Sequence, residues 1–155
     1  MDAEKAKAVY ETICSMFDDR GWHYEKDEEK LIAYCGVSGE DLPMDFIIQV
    51  REKNGTVALI SILPFTVPED KRLDMAVAVC AVNYLLVDGC FDFDISDGQL
   101  LFRMNNSYLD VEPDMQVFRY MINCAATTVD EYNDKFLMIS KGYIKVSQFL
   151  ADLNN

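Results

Sequence analysis

The stretch of this sequence whose residue types could do chemistry is FDFDISDGQLLF, residues 91 to 102, in which three aspartates fall within six positions. A calcium-binding loop could use such carboxylates, but it needs a glycine at its sixth position and a bidentate glutamate at its twelfth. Counted from Asp92, the sixth position is Asp97 and the twelfth is Arg103, a cation. Phenylalanines alternate with Asp92 and Asp94, as on a strand with one buried face. The pattern therefore predicts a hairpin whose aspartates face water, and a divalent-metal site is the weaker alternative.

The remaining candidate groups lack the arrangement that catalysis needs. His23, the single histidine, lies between two aromatic residues of a short predicted strand, so its side chain is expected on the opposite, solvent-facing side. Acidic residues cluster at Glu25 and at positions 27–29, on a predicted turn without the burial that separates catalytic pKa values. The cysteines are widely spaced without a CxxC pair, which is typical of reduced core thiols: Cys14, Cys35, Cys80, Cys90 and Cys124. We predict no catalytic residue, no metal ligand and no cofactor, and so no enzyme.

Composition limits the classes of partner. Acidic residues outnumber basic ones by 27 to 14, for a formal net charge of −13, whereas nucleic acids and anionic lipids are bound through lysine and arginine. The longest nearly apolar run, Leu73 to Val87, is shorter than the roughly 20 residues that span a bilayer as a helix. The first residues lack the apolar core of a signal peptide. We expect one domain, residues 1–155, in the cytoplasm, with neither nucleic acid nor membrane as its partner.

Hydrophobic periodicity predicts the element order α-β-β-β-β-α-β-β-α-α. Apolar residues at spacings of three and four indicate helices, and alternation between turn signals such as Asn54-Gly55 indicates strands. The predicted helices cover residues 3–19, 68–86, 113–142 and 143–152, and the predicted strands cover residues 22–26, 31–37, 44–52, 56–65, 90–95 and 99–104. The Thr127-Thr128 pair could split the third helix. Antiparallel strands interrupted by single helices are typical of an α+β fold, here an antiparallel sheet with helices packed on one face.

The second predicted helix is apolar on two sides, so both sides need cover. One stripe consists of Leu73, Ala76, Val77, Cys80, Tyr84 and Val87. The other stripe consists of Met75, Val79, Val82 and Leu86. The sheet can cover one stripe, and further helices or a second subunit must cover the other. The stripe of Met75, Val79, Val82 and Leu86 is therefore either a dimer or partner surface or part of an internal helix layer, and its residues leave both open.

Residues 83 to 110 carry the motifs of a known family. The motif residues are, in chain order, Asn83, Gly89, Phe91, Asp97-Gly98 and Phe102-Arg103. They resemble the pattern of the YbjN domain family of bacterial sensory transduction regulators, in which a helix ends near an asparagine and a Gly-x-Phe enters a hairpin. The resemblance spans about residues 4 to 153 and implies the fold of type III secretion chaperones. It implies protein binding or regulation as a dimer through the second helix, which favours Met75, Val79, Val82 and Leu86 as the dimer or partner surface. It brings no catalytic residues.

Three function classes follow from these observations. The favoured one is a non-enzymatic protein-binding or regulatory module with a secretion-chaperone-like fold, which binds a protein partner or pairs with itself. The net charge of −13 leaves open an acidic inhibitor or immunity-type protein that binds a basic target. The third class, which the calcium-loop count disfavours, is a divalent-metal-dependent regulator that uses the acidic hairpin at residues 92–97.

Overall fold

The computed structural model describes residues 3–154, and its element order confirms the order predicted from the sequence. The helices are α1 (Ala3–Arg20), α2 (Arg72–Leu85), α3 (Met115–Ser140) and α4 (Val146–Leu153). The strands are β1 (Glu25–Asp27), β2 (Ile32–Ser38), β3 (Pro43–Arg51), β4 (Thr56–Thr66), β5 (Cys90–Phe93) and β6 (Gln99–Ser107). Short 3₁₀ turns at Glu52–Asn54 and Glu69–Lys71 precede β4 and α2.

The strands form one antiparallel sheet in the order β1-β2-β3-β4-β6-β5. Its register aligns one residue from each of five strands in a row, namely Tyr34, Ile47, Ile60, Arg103 and Cys90. Side chains in such a row share one face of the sheet, and each neighbour along a strand points to the other face. β1 and β5 are therefore the edge strands, and the row lies on the face that the helices leave open.

The helices cover the opposite face of the sheet. Fully buried strand residues such as Phe46, Leu59 and Phe102 are offset by one position from the exposed-face row. They share one hydrophobic core with residues of α1 and α3, including Phe17 and Phe118. α2 packs against α3, α4 and β5. The predicted α+β class, with helices gathered on one face of an antiparallel sheet, is confirmed.

α3 runs without a break through Thr127-Thr128. Its capping residue Asp114 accepts hydrogen bonds from the backbone N–H groups of Gln116 (2.9 Å) and Val117 (3.3 Å), which satisfies donors at the start of the helix. Its buried stripe continues on both sides of the threonines, and this packing outweighs their weak helix propensity. Within residues 3–154, no helix has the length and apolar character needed to cross a membrane.

The predicted strand at 22–26 is wrong at its start, because pairing begins only at Glu25. The segment before it is held to α1 instead. The Tyr24 ring stacks on Phe17 at 4.7 Å between centroids, and the Tyr24 hydroxyl donates to a carboxylate oxygen of Asp18 at 3.0 Å. The guanidinium of Arg20 lies 4.7 Å from the centroid of the Trp22 ring. These contacts turn residues 22–24 toward the helix and away from β2.

Candidate protein-binding surfaces

The acidic hairpin between β5 and β6 uses its first aspartate in an ion pair across the two strands. Arg103 Nε donates to Asp92 Oδ2 at 2.6 Å, and Arg103 Nη2 donates to Asp92 Oδ1 at 3.2 Å. This two-point contact is the geometry in which a guanidinium holds a carboxylate best, and it raises the pKa of Arg103. The residue that occupies the twelfth position of the calcium-loop count is therefore the partner of its first carboxylate.

The other two aspartates of the hairpin hold its turn. Asp94 Oδ1 accepts hydrogen bonds from the Ser96 N–H (2.8 Å) and the Ser96 hydroxyl (2.6 Å), and these bonds lower the pKa of Asp94. Asp97 Oδ1 accepts from the Gln99 N–H at 2.8 Å. Such side-chain-to-backbone bonds are the ordinary chemistry of aspartate in turns. Among residues 3–154, no group of three or more His, Cys, Asp or Glu side chains is arranged to hold a metal ion.

The family motif residues keep the β5 edge closed. The Asn83 carboxamide, which projects from α2, donates to the Phe91 carbonyl at 2.8 Å and accepts from the Phe91 N–H at 2.8 Å. It occupies the hydrogen-bonding positions that another strand would use at this edge. Gly89 has φ +74°, and a Cβ there would lie 2.3 Å from the Phe102 ring. Asn83 and Gly89 therefore have structural reasons to be these residues, and neither carries chemistry.

The predicted partner surface on α2 needs correction. Met75 and Val82 are fully buried, Val79 is 6% exposed and Leu86 is half-buried against the core. They face inward because α3, α4 and β5 pack on this side of α2, which is the internal helix layer that the sequence left as the alternative. An interface through α2 remains a prediction, but these four side chains cannot form it without being pulled from the core.

The opposite stripe of α2 is the one that faces solvent. Leu73 is 74% exposed, Val77 is 48% exposed and Tyr84 is 89% exposed. Cys80 is also exposed on this stripe, contrary to the expectation that every cysteine lies in the core, and Val87 just beyond the helix is 96% exposed. We call Leu73, Val77, Cys80, Tyr84 and Val87 the α2 stripe. An apolar row of this length on a helix surface is typical of a protein interface.

A second candidate binding surface lies at the other edge of the sheet, beside β2. The pairing of β1 with β2 extends along β2 only as far as Tyr34. The rest of β2 therefore has no neighbouring strand on that side. Two adjoining cavities of about 620 Å³ and 350 Å³ follow this unpaired edge, and His23 and Gly36 line both of them. We call their combined space the edge groove; its walls are residues 21–25 and 34–38, with Asp45, Phe46 and Ile47 beside them.

His23 and the cysteines show no activated arrangement. His23 is exposed, as its place between two inward aromatic residues predicted. All five cysteines are free, and Cys14 and Cys35 are buried as predicted. Burial raises the pKa of the Cys35 thiol from its ordinary 9.0 to about 12, so this group remains a neutral thiol rather than a thiolate nucleophile.

The motif residues described above have structural roles. The fold, an antiparallel sheet with helices on one face, is shared with solved proteins. It is similar to a chain of the HopA1–SchA chaperone–effector complex, with a TM-score of 0.57, 10% identity and coverage of 86% of this chain and 98% of that chain. It is similar to a chain of the ExsC–ExsE complex, with a TM-score of 0.60, 10% identity and coverage of 86% and 96%.

The sequence itself assigns the family. It matches the model of the YbjN family, described as "putative bacterial sensory transduction regulator", over residues 10–138, and the chain belongs to this family. The fold is also similar to the crystal structure of YbjN, described as "a putative transcription regulator from E. coli", with a TM-score of 0.58, 14% identity and coverage of 81% of this chain and 92% of that chain. No curated protein matches the sequence.

Proposed function

We propose that this chain is a single-domain, non-enzymatic protein-binding module that pairs with a second copy of itself through the α2 stripe. The observation that carries the proposal is the exposure of Leu73, Val77 and Tyr84 along one side of the helix. With the exposed Cys80 between Val77 and Tyr84, these residues follow one another at spacings of three to four and form a continuous row on the helix surface. When two copies align, the row of one copy packs against the same row of the other copy in a symmetric contact, and both rows are buried.

Charge favours a second copy as the occupant of the α2 stripe. The chain carries a net charge of −13, so most of its surface repels another copy. Residues 75–87 contain no charged side chain at all, which makes the exposed side of α2 a neutral patch on an acidic protein. Interface centres are depleted in charged residues and enriched in aromatic ones such as Tyr84. Two copies can therefore meet here without placing like charges in contact.

The fold supports protein binding as the role of the dimer. One protein with a similar fold is part of a chaperone–effector complex and another is part of the ExsC–ExsE complex. Each carboxylate of the acidic hairpin already accepts hydrogen bonds within the protein, which disfavours the metal-dependent alternative. The regulatory role in the family description would then be exercised by binding a protein.

The α2 stripe is tested by the mass of the protein in solution. Sedimentation velocity across micromolar concentrations should give a dimer for the unaltered chain and a monomer for Leu73→Glu with Tyr84→Glu, because two buried carboxylates per copy would be left unpaired at the interface. Val111→Glu is the matched control, since Val111 is equally exposed (74%) but lies outside α2. A monomer for the unaltered chain, or an unchanged dimer for the double variant, would refute this proposal.

An acidic inhibitor that binds a basic target is the second candidate, and the net charge of −13 favours it. Electrostatic binding of this type weakens steeply as salt rises, whereas burial of the apolar α2 stripe depends on salt only weakly. An unaltered chain that sediments as a monomer, and whose binding to a partner captured from native cells weakens steeply as salt rises, would favour the inhibitor over the proposed dimer.

A further inference from the structure

We propose that the edge groove binds an extended, basic segment of a partner protein, which adds to the sheet as a strand beside β2. This inference rests on the proposed protein-binding function and names the chemistry of the partner. It concerns a site distinct from the α2 stripe, because α2 packs near β5 while the edge groove lies beyond β2, at the other end of the sheet.

The backbone of β2 offers free hydrogen-bonding groups to this groove. Val50 N donates to the Leu31 carbonyl at 3.0 Å, so odd-numbered residues of this stretch point their backbone groups toward β3. In an antiparallel ladder the residues between them point the other way, toward β1. The ladder with β1 ends at Tyr34, so the N–H and C=O groups of Gly36 and Ser38 face the groove without a strand partner. Gly36 and Ser38 are therefore the next two residues of β2 that could form hydrogen bonds with an added strand.

The edge groove has space for a backbone because its far wall is held away from β2. Residues 22–24 would continue β1 along Gly36, but the contacts of Trp22 and Tyr24 with α1 draw them aside. Gly36 itself presents no side chain to an incoming strand. A Cβ at Gly36 would meet only Asp45 Oδ1, at 3.5 Å, which is an ordinary contact. Glycine thus leaves the approach to its own N–H and C=O open.

Charge selects a basic occupant. Glu25 and Asp45 line the edge groove, and its lining contains no lysine or arginine. The nearest cations along the chain are Arg20 and Lys26, which lie 4.7 Å and 5.2 Å from the centroids of the Trp22 and Tyr24 rings, respectively. A second copy of the same edge would bring Glu25 and Asp45 against their own equivalents in a chain of net charge −13, which disfavours self-pairing here. Lysine or arginine at alternate positions of an added strand would face the two carboxylates.

The contrast with β5 strengthens the inference. At that edge the carboxamide of Asn83 occupies the outward groups of Phe91, so an added strand finds no free partner at the centre of β5. Unprotected sheet edges promote aggregation, and proteins ordinarily close or charge them. In this chain one edge is closed by a side chain, while the edge at β2 keeps its backbone groups free and is bordered by carboxylates.

The test uses two short peptides on the intact protein. An alternating lysine–valine hexapeptide is the probe, and an alternating glutamate–valine hexapeptide is its matched control. Trp22 is the only tryptophan and lines the edge groove, so its fluorescence reports binding at this site. The basic peptide should shift Trp22 emission saturably and more weakly as salt rises, and the acidic peptide should not. Equal binding of both peptides, or no binding of the basic one, would overturn the proposal.

Two substitutions at Gly36 separate backbone pairing from simple charge attraction. Gly36→Pro removes the outward N–H and should weaken the basic peptide about tenfold, because a strand pairing loses a hydrogen bond and meets the proline ring. Gly36→Ala keeps the N–H and should bind within about threefold of the unaltered chain. Circular dichroism and the melting temperature establish that both variants are folded. Equal affinity of a folded Gly36→Pro variant would exclude strand addition.

Charge reversal keeps the test independent of the proline variant. Asp45→Lys should lose the basic peptide and gain the acidic one, because Asp45 is exposed and its replacement changes the charge of the groove wall. The α2 double variant, Leu73→Glu with Tyr84→Glu, should bind the basic peptide like the unaltered chain. Dimer formation and peptide binding are therefore measured separately, so that failure of the α2 proposal can be distinguished from failure of the edge-groove proposal.

Discussion

Asn83 is a residue of the family motif that holds strand β5 through two hydrogen bonds, and Asn83→Ala tests how much these bonds stabilise the sheet. The substitution removes two hydrogen bonds of 2.8 Å and leaves both backbone groups of Phe91 without a protein partner. An unsatisfied buried group costs about 1–3 kcal/mol, and a hydrogen bond with access to water costs about 0.5–1.5 kcal/mol. Because Asn83 is half-buried, water can replace part of the loss. We expect a fall of about 2–3 kcal/mol in the free energy of unfolding.

The position of Phe91 explains why the effect would reach the core. Its ring is 2% exposed and meets Phe102 and Phe136 edge-on, at 5.1 Å and 5.0 Å between centroids. Such pairs depend on geometry as well as on buried area. A β5 strand released from Asn83 would disturb both contacts. For a chain of this length, about 2–3 kcal/mol corresponds to a melting temperature lower by roughly 4–12 °C.

Urea unfolding followed by circular dichroism measures the change in Asn83→Ala. Asn105→Ala is the control, because Asn105 is exposed on β6 and its loss should stay within about 0.5 kcal/mol. Light scattering on folded protein gives a second readout, since an opened β5 edge should promote association. If Asn83→Ala loses no more stability than Asn105→Ala, the carboxamide does not hold the edge.

Three further changes follow from particular contacts. Arg103→Ala should cost less than about 1 kcal/mol in urea unfolding, and less still at high salt, because its pair with Asp92 is about 40% exposed. Asp114→Ala should cost about 1 kcal/mol through loss of the α3 cap, and Asp114→Ser should restore most of it. Burial raises the pKa of Cys35 to about 12, so the unfolded chain releases this proton first. The stability that the neutral Cys35 thiol contributes is complete below pH ~9 and falls above it. Cys35→Val should therefore reduce the fall in urea midpoint between pH 8 and pH 10.

The sequence predicted elements wherever one periodicity dominated. α3 holds a single apolar stripe from Phe118 to Ile139, and this spacing predicted one long helix, although the Thr127-Thr128 pair left a split open. α2 is apolar on two sides, so its periodicity fits two orientations equally well. Only the positions of α3 and α4 decide that Met75 turns inward and Tyr84 outward. A choice made by tertiary packing leaves no local signal in the helix itself.

Hydrogen bonds between distant segments were also beyond the reach of spacing. Asn83 was recognised as a motif residue, but its bonds to Phe91 depend on how α2 lies beside β5. The edge groove is a similar case, since alternation predicted a strand from residue 22. The same aromatic side chains that produced the alternating pattern, Trp22 and Tyr24, instead pack toward α1. Alternation identified correctly that Trp22 and Tyr24 turn toward the core, against which they are partly buried, but it could not tell which element they pack against.

The two proposed surfaces have a joint consequence for stoichiometry. The α2 stripe lies on the β5 side of the sheet and the edge groove on the β2 side, so pairing through α2 leaves both grooves of a dimer free. Calorimetric titration should therefore give one basic peptide per chain, both for the unaltered dimer and for the monomeric variant Leu73→Glu with Tyr84→Glu. Two basic segments joined by a linker long enough to span the dimer should bind the dimer more tightly than the monomer, through effective concentration. One peptide per dimer would mean that the grooves are coupled or shared, and the assignment of separate surfaces would fail.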